Sequence, residues 1–191
     1  MPTSRYLQRE HITLRAVEPE DLDYLYLREN DSSVWHEGAT VAPYSRALLH
    51  QYIEQYTADI YRDRQLRLII TLNTSGMRIG IADLYEYAPT HNRAGVGLYI
   101  DPEYRKQGYG KEALIALCNY AFGLLHMHQL YAIARISNNA SIALFSACGF
   151  TRHSVLHEWL QGYNGYEDAV MMQRYHNQNQ PDKTHNSLTD E

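Results

Sequence analysis

The segment Val96-Gly97-Leu98-Tyr99-Ile100-Asp101-Pro102-Glu103-Tyr104-Arg105-Lys106-Gln107-Gly108-Tyr109-Gly110-Lys111-Glu112 restricts the fold more than any other part of the 191-residue chain. It reads as a strand, a turn at Pro102, a loop bearing two glycines, and then a helix. The end of a strand and the start of a helix must therefore lie side by side. A glycine lets a ligand come against the backbone because no Cβ intervenes. The unbonded N–H groups of a helix start, together with its dipole, form an anion site. Arg105, Lys106 and Lys111 add positive charge, so a pyrophosphate is the natural guest. By itself Gly-x-Gly before a helix is equally a tight turn into that helix. The loop is neither a P-loop, lacking Gly-Lys-Ser/Thr, nor the dinucleotide fingerprint Gly-x-Gly-x-x-Gly.

The flanking chain supplies a sheet for that strand. His11 to Val17 alternates, with Ile12, Leu14 and Ala16 on one side. Pro19 with Glu20 and Asp21 marks a helix start, where a fixed φ and negative charge both help. This helix turns Leu22, Leu25 and Tyr26 inward and ends near Asn30. Ser45 caps a second amphipathic segment that carries Leu48, Leu49, Tyr52, Ile53, Tyr56 and Ile60 at helical spacing. Leu66–Leu72 and Arg78–Tyr87 are strands joined through Asn73-Thr74-Ser75-Gly76, and Gly95–Ile100 is the next. A helix over Gly110–Leu125 buries Leu114, Leu117, Cys118, Ala121, Phe122 and Leu125. Gln129–Ile136 is a strand, Ala140–Ala147 a helix, and Phe150–Leu160 and Tyr166–Arg174 the last two strands. The order β-α-α-β-β-β-α-β-α-β-β predicts an α+β domain over residues 1–175. Its mixed, mostly antiparallel sheet has about seven strands, with helices on both faces. The polar tail 176–191 is too poor in apolar residues to bury much.

Composition narrows the function. A net charge of −5 argues against a general nucleic-acid binder, which needs clustered Lys and Arg. It sits more easily with a cationic partner, although surface acidity usually serves solubility. No apolar run approaches the length needed to cross a bilayer, and the first residues lack a signal core, so no membrane partner and a reducing cytoplasm are expected. Cys118 and Cys148 form neither a disulfide framework nor a metal-spaced set, and both read as core thiols. The ten histidines include His126 and His128 around one Met, but no acid or Cys completes a site, so no metal is expected.

Arg105-Lys106-Gln107-Gly108-Tyr109-Gly110 on its strand-loop-helix resembles the pyrophosphate loop of the GNAT acetyltransferase superfamily. A second element agrees: the strand Leu130 to Ile136, then Asn138, then a helix ending at Cys148-Gly149-Phe150. The opening Ile12 to Leu22 is similar to that family's first strand and helix, so the resemblance spans roughly residues 11–174. It is nearest to the branch of spermidine acetyltransferases and ribosomal-protein N-terminal acetyltransferases. The resemblance implies acetyl-CoA as co-substrate and a splayed central pair of strands. The backbone of Leu98, Tyr99 and Ile100 would hold the thioester and pantetheine arm, on a strand usually bulged there. Amides from Gln107 through Gly108, Tyr109 and Gly110 to Lys111 would grip the pyrophosphate. Asn138 would bond the pantetheine, and a helix cap explains that residue equally well.

Amide formation needs a neutral amine, and at pH 7 only about 1 in 2,500 alkylamine molecules is neutral if the pKa is ~10.4. A carboxylate, acting directly or through water, can take the proton, and a partly desolvated one is the better base. Asp83 and Glu86 lie on the strand before the cofactor strand. Glu29, Asp31 and Glu37 lie where this branch places acceptor-binding residues. Each alone is more often a solvated surface acid; together, facing a cleft, they would suit a polyamine. Asp83 is the first candidate for base or water-positioner and Glu37 the second. The family pattern breaks at Phe145, where many relatives carry a Tyr as general acid for the thiolate. Phe145 cannot donate a proton and would pack beside the cofactor, which leaves water or Ser141 as donor. Ribosomal-protein acetyltransferases often lack that Tyr and carry Ser at the position of Ser141. The expected activity is therefore acetyl transfer to a small cationic amine or to a protein N-terminus, with a non-catalytic acetyl-CoA binder as the competing reading. A homo-oligomer stays open.

Overall fold

Each apolar, β-branched run of the sequence finds a paired neighbour. The computed structural model describes residues 5–32, 35, 42–162 and 165–176. The strands are β1 (Ile12–Ala16), β2 (Leu66–Leu72), β3 (Arg78–Ala88), β4 (Arg93–Ile100), β5 (Gln129–Arg135), β6 (Thr151–Gly162) and β7 (Gly165–Tyr175). They form one sheet in the order β1-β2-β3-β4-β5-β7-β6, antiparallel except between β4 and β5. The helices are α1 (Leu22–Glu29), α2 (Arg46–Gln55), α3 (Ile60–Asp63), α4 (Tyr109–Gly123) and α5 (Asn139–Ala147). The expected α+β architecture is present, and the tail beyond His176 lies outside the described residues.

Alternation along the strands sends side chains to two different faces. One face is dry. Leu66, Leu68, Ile70, Ala82, Leu84 and Val96 meet Leu114, Leu117, Cys118 and Ala121 of α4 in one apolar cluster. Burial of each large side chain there is worth roughly 1.5–3 kcal/mol. The other face has a small apolar cluster, Leu25, Ile69 and Ile81, beneath α1 and α2, and polar side chains fill much of the rest.

Two expectations are corrected. The helical segment expected to run from the Ser45 cap to Ile60 is split. α2 stops at Gln55, Ala58 takes a positive φ of 54°, and the Asp59 side chain accepts from the N–H groups of Tyr61 and Arg62 at 2.9 and 3.4 Å, starting α3. Thr57 and Asp59 offer the backbone bonds that compete with a continuous helix. The bulge expected at Leu98–Ile100 is also absent: Gly95–Ile100 pairs with Gly80–Tyr85 in unbroken register. The extra residue sits on β3 instead, between Tyr85 and Ala88, where Glu86 has φ 50°. The sheet opens on the other side of β4, where pairing with β5 stops after Gly95 and Tyr131 although both strands continue.

Candidate active site

That opening is the splayed central pair. β4 runs on through Leu98, Tyr99 and Ile100 without β5 beside it, which leaves a cleft along its edge. The N-terminus of α4 sits at the far end of the cleft, because a Cβ on Gly110 would lie 3.6 Å from Ile100 and 3.8 Å from Leu98. The first i→i−4 bond of α4 runs from the Glu112 N–H to the Gly108 carbonyl at 3.1 Å, and Lys111 donates to the same oxygen at 3.0 Å. The amides of Tyr109 and Gly110 therefore precede the helical ladder. Gly108 has φ +91° and nothing within 4 Å of where a Cβ would stand, and Lys106 is also left-handed at φ 61°. The residues fit a pyrophosphate: an open concave backbone, a helix start and three cations near it. Arg105 points back, its Nε donating to the Ile100 carbonyl at 2.8 Å and its guanidinium lying 5.6 Å from the Tyr99 ring centre. Gln107 donates from Nε2 to the Glu103 carbonyl at 2.9 Å.

On the opposite wall Asn138 caps α5, its Oδ1 accepting from the Ser141 N–H at 3.0 Å. Phe145 is 5% exposed, with its ring edge-on to Phe150 at 5.0 Å. It belongs to the core, where it supplies packing and no proton. Cys118 and Cys148 are buried; burial pushes the Cys118 thiol up to about 12 and the Cys148 thiol upward as well, so neither is a nucleophile. No group of His, Cys, Asp or Glu among the described residues could hold a metal.

Two of the acids expected to meet the acceptor, Asp83 and Glu29, are drawn together by Arg67, a residue that spacing and motif did not single out. Arg67 forks onto Asp83, Nε to Oδ1 at 3.0 Å and Nη2 to Oδ2 at 3.1 Å, while Nη1 reaches Glu29 at 2.6 Å. All three side chains are less than a fifth exposed. Burial alone would weaken the hold of Arg67 on its proton, but the Asp83 charge outweighs it and keeps the guanidinium protonated. Tyr56 brackets the Arg67 backbone, donating to its carbonyl and accepting from its N–H. The Tyr52 hydroxyl is buried beside this set, with no hydrogen-bond partner among the described residues. A lone Arg inside Leu66-Arg67-Leu68-Ile69-Ile70 was the available signal, since a charge within a buried run must be paired.

Glu86 lies nearby, accepting from the Tyr131 hydroxyl at 2.6 Å, and the Tyr131 ring meets Tyr85 edge-on at 5.9 Å. Asp31 follows α1, its N–H donating to the Arg28 carbonyl at 3.3 Å. Glu37 lies outside the described residues. A second polar lock ties α1 to the end of β4: Arg28 contacts buried Asp101 at 2.7 Å, and the Tyr24 hydroxyl donates to it at 3.2 Å. Burial raises the Asp101 pKa despite Arg28. The end of β4 thus lies between the opening toward β5 and a face that carries Asp83 and Glu29.

Comparison with known proteins agrees with the geometry. The acetyltransferase (GNAT) domain family matches residues 11–151. The chain is 28% identical over 166 residues to a spermidine N(1)-acetyltransferase of Escherichia coli, covering 84% of each protein. It is 32% identical over 73 residues, 38% of its length and 49% of the relative's, to the E. coli ribosomal protein bS18-alanine N-acetyltransferase. The structure of a Vibrio cholerae spermidine N-acetyltransferase in complex with CoA and spermine superposes with a TM-score of 0.76 at 25% identity, over 86% of this chain and 95% of that one.

Proposed function

The chain belongs to the acetyltransferase (GNAT) domain family and is an acetyl-CoA-dependent N-acetyltransferase; from that premise we propose that its acceptor is a polyamine, whose neutral primary amine attacks the thioester carbonyl directly and expels the thiolate, without a covalent acetyl-enzyme. The observation that carries the acceptor is the grouping of Glu29, Asp83 and Glu86 on one face of the sheet, where Arg67 offsets a single charge. The net charge left there is negative and suits an acceptor with more than one ammonium group. The spermidine acetyltransferases among the relatives support the same reading.

When bound, acetyl-CoA supplies an activated thioester carbonyl. The amides of Gly108, Tyr109 and Gly110 hold its pyrophosphate, helped by Lys106 and Lys111. The Leu98–Ile100 backbone aligns the pantetheine arm, and Asn138 and Ser141 line the facing wall. Asp83 takes the amine proton or orients the water that does. Arg67 takes one lone pair on each Asp83 oxygen, which leaves the others for the amine proton or the water. With Phe145 in the core, water or the Ser141 hydroxyl protonates the departing thiolate, whose pKa near ~8.5 makes it a tolerable leaving group.

A protein N-terminus is the second reading, favoured by Phe145 in place of a donor and by the ribosomal-protein relative. Thiol release from acetyl-CoA, measured over a panel of spermidine, spermine, n-butylamine and alanyl and seryl peptides, separates the two. Spermidine and spermine are expected to give the highest kcat/KM. A peptide that outruns both overturns the polyamine acceptor, and binding of acetyl-CoA without thiol release for any amine overturns acetyl transfer to this panel.

A further inference from the structure

β4 sets two glycines on its acid-bearing face, each directly across from a β3 residue: Gly95 opposite Tyr85, Gly97 opposite Asp83. They are glycines for different reasons. A Cβ on Gly95 would stand 2.4 Å from the Tyr85 ring, so packing alone forbids any side chain there. A Cβ on Gly97 would stand 3.5 Å from the Asp83 Cβ, 3.9 Å from its Oδ2 and 3.9 Å from the Tyr85 Cδ1, all ordinary contact distances. Gly97 has no positive φ. Nothing in the fold requires a glycine at 97, yet a mid-strand glycine forgoes roughly 0.5–1 kcal/mol relative to Ala. Such a glycine marks a place where a ligand comes close to the backbone.

The walls of this space are fixed. Tyr85 lies flat on Gly95 and takes the edge of Tyr131 at 80°. Tyr131 is anchored in turn by Glu86, which the β3 bulge holds at a positive φ. Asp83 is held by the Arg67 fork. Both rings are only half-buried, and the Tyr85 Cδ1 edge is what borders Gly97. Gly97 also lies two residues beyond Gly95, the last β4 residue that pairs with β5.

We propose that the space above Gly97, walled by the Asp83 carboxylate and the Tyr85 ring, seats the acceptor nitrogen. This deepens the N-acetyltransferase reading and rests on it. The site takes an alkylamine whose nitrogen carries no bulky substituent, because a single carbon-sized group at the Cβ position of Gly97 already meets the Asp83 Cβ at 3.5 Å and the Tyr85 Cδ1 at 3.9 Å. Tyr85 and Gly97 become specificity-determining residues, and Glu86 and Tyr131 position the ring.

The test uses the full chain. Gly97→Ala should fold, melt at or above the wild-type temperature and bind CoA unchanged, while kcat/KM for spermidine or n-butylamine falls at least about 10-fold, since small misplacements at the reacting atom are costly. Tyr85→Leu should raise the KM for the same amine by roughly 5-fold, because the wall of the seat is lost, and Tyr85→Phe, which keeps the ring edge in place, should restore it. Gly97→Ala with wild-type amine kinetics overturns the proposal. A second measurement needs no turnover. In saturation-transfer NMR with CoA-loaded protein, n-butylamine and spermidine should give signals with wild type and lose them with Gly97→Ala; equal signals, or none with wild type, overturn the seat. Absence of thiol release with every amine overturns the transfer reading instead, and leaves the NMR comparison to decide on the seat.

Discussion

The two faces of the sheet solve the problem of burial in opposite ways. The α4 face is built from aliphatic side chains at 0–4% exposure, Leu66, Leu68, Ile70, Leu84, Leu114 and Leu117 among them. The α1–α2 face has Leu25, Ile69 and Ile81 as its buried cluster and otherwise locks itself with charge: Asp21 between Arg15 and Arg78, Asp101 with Arg28 and Tyr24, and Asp83 and Glu29 on Arg67. Apolar contacts are non-directional and tolerate small shifts. Hydrogen-bonded charges fix angles and leave polar groups at the cleft, at the cost of desolvation. A dry face that carries α4 and a charged face that meets the proposed amine follow from this division.

The comparison breaks first at Asp21. Its side chain is fully buried. Burial alone would raise its pKa, but the guanidinium groups of Arg15 and Arg78 and the Glu18 N–H outweigh it and hold the pKa below the ordinary carboxylate value. Asp21→Asn should cost about 3–5 kcal/mol in urea unfolding, as for any buried pair left with unpaired partners. A loss under 1 kcal/mol means the charged face is not held by its ion pairs. In wild type this contribution is complete above the unfolded pKa of ~3.9 and disappears as pH falls through the lower folded value. Stability measured from pH 5 down to 2 should therefore fall less steeply in Asp21→Asn.

Gly108→Val comes next. The space around Gly108 is open, so the side chain meets no protein atom, but it stands where the pyrophosphate must approach and at a φ that β-branched residues avoid. Acetyl-CoA affinity should fall by about 100-fold or more in calorimetry. Unchanged affinity in a folded variant shows that the anion site lies elsewhere.

Asp83→Asn has the smallest expected effect on binding and a purely kinetic one on turnover. The rate should drop by roughly 100-fold while acetyl-CoA affinity holds, because Asp83 sits on the charged face and the cofactor amides lie on the other side of β4. A rate that survives at every pH removes Asp83 as base or water-positioner and leaves it as the partner of Arg67.

Much of the dry half was legible in the chain. The stripe Leu114, Leu117, Cys118, Ala121 predicted a buried helix face, and β2 begins and ends where its apolar run does. The Gly108–Gly110 loop announced a helix start built for an anion. The charged half was only partly legible. Glu29, Asp83 and Glu86 could be singled out as acids, but their pairing depended on Arg67, 38 residues from Glu29 and 16 from Asp83. Thr57-Ala58-Asp59 broke a helix that hydrophobic spacing alone extended, because side-chain caps compete locally with the helical ladder.

The sequence by itself determined the order of elements, the apolar core and the glycine-bearing turn into α4, since these depend on periodicity and on contacts within short stretches. Tertiary structure decided the rest: where β4 parts from β5, which acids share a cation, and that Gly95 is filled by Tyr85 while Gly97 keeps room for a Cβ at ordinary contact distance. Those features arise where strands distant in the chain are brought into register, and cross-strand neighbours cannot be read from spacing along one strand.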